Sequence, residues 1–268
     1  MASLSTPPET PVALTIATSD SGGGAGIQAD LKTFAARGTF GTSVFCALTA
    51  QNPREVTAIA ELESDFIRAQ LEAVFGYFEV RAAKTGMLFS RRIIEVVAGY
   101  LAEKQPTLPL VIDPVMVATS GAVLLQEDAI EALSDELFPR ATLLTPNLDE
   151  AAVLLGTRPQ SPKEMEAAAR TLADRYGTAV LLKGGHLAEG AAIVDLLATP
   201  GGGVPLSLQH QRIDGVNTHG SGCTLAAAIA AGLALGYPLE AAVRGALGYV
   251  SKALEHPIAL NGEAFLGH

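Results

Sequence analysis

The chain has 268 residues, 49% hydrophobic and 17% charged, with a formal net charge of −10. This composition excludes disorder as the default state and allows one large core. The acidic balance argues against a nucleic-acid partner, which needs a basic face, but leaves room for a local positive pocket.

Residues 1–11 (MASLSTPPETP) lack a basic segment followed by an apolar run, so they predict a flexible tail and no secretory signal. The run VALTIATS (12–19) reads as a buried strand. GIQADLKTFAARG (26–38) then places Ile27, Leu31 and Phe34 at helical spacing and stops at Gly38. TSVFCALTA (42–50) is a strand and DFIRAQLEAVFGYF (65–78) an amphipathic helix. AAKTGML (82–88) is a short strand and turn, followed by the helix RRIIEVVAGYLAEK (91–104). LPLVIDPVM (108–116) is strand-like and ends at an Asp-Pro, and AIEALSDELF is helical. ATLLTPN (141–147) is a strand, then come LDEAAVLLG, the helix KEMEAAARTLADRYG (163–177) and the strand AVLLKGG (179–185). TPGGGVP (199–205) is the loop of a late hairpin.

Strands that are unbroken apolar runs, alternating with helices, are the pattern of a parallel sheet covered on both faces. No composition break interrupts the chain between 12 and 260, so one domain over 12–268 is expected. In the uncharged stretch 216–239 the apolar run is about 14 residues, too short to span a bilayer. The cysteines, Cys46 and Cys223, form no CxxC pair, which disfavours a zinc ribbon or a disulfide framework. A soluble cytoplasmic protein with reduced thiols is the expectation.

In open parallel sheets ligands sit beyond the carboxyl ends of the strands. The unusual residues cluster there: Asp20, Gly22–Gly26, Gln51, Asn52, Asp113, Asn147 and 183–186. SDSGGGAGIQAD (19–30) fails the G-x-G-x-x-G template because Ile27 occupies the third glycine position, and no Gly-Lys dipeptide exists to make a P-loop. It is either a close approach to a ligand or a tight strand-to-helix turn. NTHGSGCT (217–224) opens an alanine-rich helix. One reading is an anion cradle of backbone amides at a helix N-terminus, with a thiol of lowered pKa at Cys223. The other is a loop capped by Thr218 or Ser221, with Cys223 a small buried residue.

Asp113 either faces a metal–nucleotide complex or caps its turn. Asn147 and Glu150 have the spacing of a capping box, and the same pair suits Mg²⁺ held through water. Lys183 follows a strand, where it meets phosphate or solvent. Gln51 suits the edge of a heteroaromatic ring or a turn.

Taken in order, ALTIATSDSGGGAGIQADLKTF, ALTAQN, KTGML, DPVMVATSG, TPNLDEA, LLKGGH and NTHGSGCTLAAAIAA resemble the hydroxymethylpyrimidine/phosphomethylpyrimidine kinases of thiamine biosynthesis, in the ribokinase superfamily. The resemblance spans about residues 12–250. It implies a three-layer, ribokinase-like α/β fold whose mostly parallel central sheet carries helices on both faces, with ATP and Mg²⁺ at the carboxyl edge. The pyrimidine contacts map onto Ala25, Asp30, Gln51 and Met87. Phosphate contacts map onto Asn147, Lys183, Gly220 and Gly222, and the magnesium residues onto Asp113 and Glu150. The anion hole maps onto Gly220, Ser221, Gly222 and Cys223, with Ser221 where the family often has threonine. Sugar kinases of the superfamily have an aspartate base at the Cys223 position, so cysteine points to a hydroxymethyl group on an aromatic ring.

The implied reaction is ATP-dependent phosphorylation of 4-amino-5-hydroxymethyl-2-methylpyrimidine and then of its monophosphate, by a homodimer. Pyridoxine/pyridoxal kinase is the alternative on the same fold. A non-catalytic vitamin-binding protein and an NAD-linked oxidoreductase are disfavoured, by the intact 217–224 loop and by the failed dinucleotide template respectively.

Overall fold

A computed structural model describes residues 9–116, 125–185 and 192–268. Residues 117–121 of the DPVMVATSG motif and His186 of LLKGGH lie outside these, as do residues 1–8 of the expected tail. The end of that tail is tied in, because the Pro11 carbonyl accepts the Phe40 amide at 2.9 Å.

The strands are β1 (Val12–Thr18), β2 (Phe40–Gln51), β3 (Val56–Glu61), β4 (Val80–Thr85), β5 (Leu110–Ile112), β6 (Leu143–Leu144), β7 (Ala179–Leu182), β8 (Ala192–Ala198) and β9 (Leu206–Gln211). They form one sheet in the order β3-β2-β1-β4-β5-β6-β7-β8-β9. From β2 through β7 neighbouring strands run parallel, while β3, β8 and β9 pair antiparallel at the two edges. The chain leaves β1 toward β2 on one side and later continues from β4 on the other. The crevice beyond β1 and β4 is therefore the place where such sheets bind ligands.

Helices cover both faces. On one lie α2 (Ser64–Tyr77), α3 (Arg91–Lys104), α4 (Glu127–Ala132), α5 (Leu148–Leu155) and α6 (Pro162–Tyr176), packed around Leu14, Ile16, Ile112 and Leu144. On the other lie α1 (Gly26–Ala36), α7 (Ser221–Ala234) and α8 (Leu239–Glu255), packed on Ala13, Ala82, Val111 and Leu143. A short hairpin, β10 (Ile258–Leu260) and β11 (Glu263–Phe265), closes the chain. The expected helix over AIEALSDELF is shorter than its pattern: after α4 the chain widens at Leu133–Leu137 and tightens at Phe138–Arg140. Pro139, which cannot continue a helical hydrogen-bond ladder, lies in that last turn.

The alanine run of α7 follows from its position. Residues Thr224 to Gly232 are all buried, so the helix is enclosed by the sheet on one side and α8 on the other. A Cβ at Gly232 would come within 2.9 Å of the Ala242 Cβ, so only small residues let the two helices approach this closely. Among the described residues no helix is long and apolar enough to cross a membrane.

Candidate active site

Strand alternation builds the floor of the site. Ala13, Ala82, Val111, Leu143 and Leu181 point into the core beneath α7. Two residues further along each strand direction, the same face carries Thr15, Lys84, Asp113, Thr145 and Lys183. One face thus changes from apolar to polar as the strands reach their carboxyl ends. The Lys183 ammonium lies 3.2 Å from Asp113 Oδ1, which also accepts the Thr145 hydroxyl at 3.3 Å. A Cβ on Gly222 would sit 3.5 Å from both Asp113 Oδ2 and the Lys183 nitrogen, so the first turn of α7 rests directly over this pair.

The 217–224 segment leads into the first turn of α7. Gly220 precedes α7 with φ of 83°, and no described side chain caps the helix. Neither Thr218 nor Ser221 serves as the cap. The Ser221 amide donates to the Thr218 carbonyl at 3.0 Å. The amides of Gly222 and Cys223 remain as the first-turn donors. A Cβ at Gly220 would overlap the Gly24 carbonyl oxygen, so this loop and the glycine segment after β1 are in backbone contact. Gly26 is constrained in the same way: with φ of 56°, its Cβ would meet the Thr18 carbonyl at 2.6 Å.

Asp20 ties these loops together. Its carboxylate accepts the amides of Gly22, Gly24 and Ala25 at 2.8, 3.1 and 2.8 Å, and lies 3.1 Å from His219 Nε2. Burial alone would raise its pKa, but His219 and the backbone amides hold it below the usual value. The expected ring-binding positions lie at the ends of adjacent strands. Ser21 and Gln51 exchange two hydrogen bonds of 2.8 Å, Gln51 Oε1 accepts the Thr49 hydroxyl at 3.2 Å, and the Thr18 hydroxyl reaches the Met87 carbonyl at 2.9 Å. Ala25, Gln51 and Met87 therefore border the crevice beyond β1, β2 and β4.

Asp30 does not join them. It is fully buried, with Lys84 at 2.8 and 3.0 Å and the Thr15 hydroxyl at 2.7 Å on its two oxygens. The reason lies in α1: Asp30 falls on the same helical stripe as Ile27 and Phe34 and so points at the sheet.

Cys223 departs from expectation as well. Burial pushes its thiol up to about 11, and the neighbouring Asp30 and Asp113 carboxylates add to the rise. The Lys84 ammonium and a hydrogen bond from the Gly26 amide act in the opposite direction without overcoming burial. The favourable field of a helix N-terminus is outweighed here by desolvation of the thiolate.

Asn147 and Glu150 form a capping box on α5. Asn147 Oδ1 accepts the amides of Asp149 and Glu150, both at 2.9 Å, and Glu150 Oε2 accepts the Asn147 amide at 2.8 Å. Burial raises the Glu150 pKa to about 7; Lys183 opposes the rise and Asp113 strengthens it. Among the described residues no three His, Cys, Asp or Glu side chains group to hold a metal. Two close carboxylates, one of them pushed toward neutrality, nevertheless suit a hydrated Mg²⁺ that arrives with a nucleotide and needs few protein oxygens.

Glu150 contributes to stability in a pH-dependent way. Its folded-state pKa of about 7 lies above the ordinary 4.5, so its contribution is full below about 4.5 and gone above about 7. Glu150→Gln removes that dependence. In chelator-containing buffer the variant is expected to be more stable than wild type at pH 8, by up to about 3 kcal/mol, and to lose the advantage near pH 4.5. Urea unfolding at the two pH values checks this; equal wild-type and variant midpoints at pH 8 would refute it.

The model of the phosphomethylpyrimidine kinase family matches residues 20–267. The chain belongs to this family. It is 48% identical over 246 residues to the hydroxymethylpyrimidine/phosphomethylpyrimidine kinase of Rhizobium meliloti (strain 1021), covering 91% of each chain. Among solved structures, phosphomethylpyrimidine kinase from Clostridium difficile 630 superimposes with a TM-score of 0.80 at 40% identity, covering 91% of this chain and 100% of that one. An ADP complex of Bacillus subtilis pyridoxal kinase superimposes with a TM-score of 0.89 at 36% identity, covering 97% and 98%. The layered fold expected from the motifs is thus the fold observed, and the family is a phosphotransferase family.

Asp20, Lys84 and His219 stand at the polar edge of the sheet beside the expected site residues. Asp20 was visible as an acid after a strand, and Lys84 as a lysine inside an apolar run. His219 had no signal, because its partner Asp20 lies 199 residues away in sequence.

Proposed function

We propose that the chain transfers the γ-phosphoryl group of ATP to the hydroxymethyl oxygen of 4-amino-5-hydroxymethyl-2-methylpyrimidine, and then phosphorylates the resulting monophosphate in the same pocket. One observation carries this reading: the uncapped first turn of α7 lies over the Asp113–Lys183 pair on one side and against the Gly22–Gly26 loop on the other. A phosphoryl group bound at the amides of Gly222 and Cys223 therefore sits between the Asp113–Lys183 pair and the crevice bordered by Ala25, Gln51 and Met87.

Cys223 accepts the hydroxyl proton, and the amides of Gly222 and Cys223 stabilise charge on the transferred group. Lys183 and Asn147 contact the triphosphate. Asp113 and Glu150 would hold a hydrated Mg²⁺, which would supply charge neutralisation on the phosphates. The protein's part in such transfer is positioning and electrostatics. Residues 12–268 act as one domain in this reading, in the reducing cytoplasm, where both cysteines stay free as they are here. A homodimer is supported by the exposed apolar side chains Leu48, Val56 and Ile59 on the β2–β3 edge.

The pyridoxal kinase neighbour keeps a second reading open, since it superimposes over nearly the whole chain. Steady-state kcat/KM with ATP on each alcohol separates the two, with products followed by mass and the same preparation examined by sedimentation equilibrium. The expected result is a dimer that prefers the pyrimidine and forms first the monophosphate, then the diphosphate. A higher kcat/KM on pyridoxal overturns the substrate assignment, and a monomer overturns the dimer.

A further inference from the structure

The polar row at the carboxyl edge of the sheet does not end at Lys183. Strands β8 and β9 continue it: Leu197 and Leu208 face the core beneath α7 and α8, and two residues nearer the edge the same face carries Asp195 and His210. Asp195 is only 3% exposed. A buried carboxylate needs partners, and here the partners indicate its task. Oδ1 accepts the Gly184 amide at 2.8 Å, and Oδ2 lies 3.1 Å from His210 Nε2. A carboxylate serving the hairpin alone would bond within β8 and β9; this one gives an oxygen to the residue that follows Lys183.

The same turn is held at other points. A Cβ at Gly184 would overlap the Val194 carbonyl oxygen, so β8 and the turn approach backbone to backbone. The Arg212 guanidinium, just past β9, donates to the Gly185 carbonyl at 3.0 Å. On the opposite side the Lys183 amide donates to the Pro146 carbonyl at 2.9 Å, and Lys183 forms a parallel bridge with Asn147. The backbone around Lys183 is thus gripped from both neighbouring strands. This matters because a lysine carries its charge on a flexible stem, so a fixed ammonium needs a fixed backbone beneath it. The ammonium stands 3.2 Å from Asp113 Oδ1, under the first turn of α7.

We propose that Asp195 is a positioning residue for the nucleotide: backed by His210, it holds the Gly184 amide and so fixes the point from which Lys183 reaches the triphosphate. This rests on the reading of Lys183 as a phosphate contact. Asp195 acts only through the turn it holds.

The test is a double-substitution cycle on the full-length chain, read as affinity for β,γ-methylene-ATP with Mg²⁺ by titration calorimetry. Asp195→Ala is expected to weaken binding about tenfold, the order of one charge-assisted hydrogen bond. In a Lys183→Met background the same change is expected to cost less than about twofold, because the side chain it positions is gone. AMP lacks the outer phosphates assigned to Lys183 and should bind Asp195→Ala as it binds wild type. Asp195→Asn keeps an oxygen for the Gly184 amide and is expected to stay within about threefold of wild type. Equal losses from Asp195→Ala in the two backgrounds overturn the proposal, as does wild-type affinity in Asp195→Ala or a matching loss for AMP. A Lys183→Met variant with wild-type affinity overturns the reading of Lys183 and the proposal with it, so the two failures are told apart. Where Asp195→Ala does not fold, His210→Leu replaces it in the cycle, withdrawing the carboxylate's other partner from a half-buried position. The same dependence on Lys183 is expected there, and additive losses overturn the proposal.

Discussion

Gly220→Ala is expected to lower kcat/KM at least a hundredfold. Two effects combine at this position. With φ of 83°, an alanine there costs about 1–2 kcal/mol in backbone strain. Its Cβ would also overlap the Gly24 carbonyl, a backbone atom that cannot rotate away. The 217–224 loop and the Gly22–Gly26 loop must then separate, which moves the proposed phosphate cradle away from the proposed ring-binding crevice. A displacement of about 1 Å between reacting groups costs on the order of a hundredfold in rate. Gly177→Ala isolates the strain: φ there is 64°, and no described atom lies within 4 Å of the added Cβ. That variant should melt a few degrees lower with turnover unchanged. If Gly220→Ala keeps kcat/KM within threefold of wild type, contact between the two loops does not organise the site.

Much of this arrangement is written locally in the sequence. The central strands are buried on both faces and therefore read as continuous apolar runs, and the residues just past their ends mark the polar edge. Helix α3 coincides with its pattern because its apolar stripe and flanking charges are unambiguous. Strand β3 has no such signal. All but one of its six residues are exposed, and it exists by pairing with β2 at the sheet edge, so neither face imposes a pattern. The stretch 239–255 gives little helical signal in the sequence, although Ala242, Val243 and Ala246 seat α8 against α7. Its short apolar residues give a weak stripe.

The site was legible in its members more than in their roles. Asp113, Lys183 and the 220–223 turn come together, since each stands at the end of a strand or the start of a helix. Asn147 and Glu150 had two readings, a capping box and a Mg²⁺ site. The capping box is formed, and the carboxyl that closes it is also the one driven toward neutrality. What escaped is tertiary. Asp30 is a pyrimidine contact by the family resemblance, and only packing reveals its pairing with Lys84. The thiol of Cys223 illustrates the same limit: a helix N-terminus is visible in sequence, while the burial that outweighs it is not.

The other large effect lies at that thiol. Cys223→Ala is expected to lower kcat by about 10²–10⁴, the range for losing a positioned general base. The substitution keeps the Cβ and the helical backbone, so the amides of Gly222 and Cys223 remain and catalysis persists above the uncatalysed rate. KM for ATP should stay within about threefold, because the nucleotide contacts are assigned to Lys183, Asn147 and the backbone. The same assignment fixes the sign of the pH dependence. Burial holds the ligand-free thiol near 11, so wild-type kcat/KM is expected to rise with pH above neutrality as the thiolate fraction grows. Cys223→Ala should flatten that limb, whereas Cys223→Ser should move it beyond the accessible range. Rapid-quench measurement of the first turnover separates loss of chemistry from slow product release. An alanine variant with wild-type single-turnover rate and an unchanged pH limb would assign proton removal to another group, and the amide cradle of α7 would then be the enzyme's main contribution to the transfer.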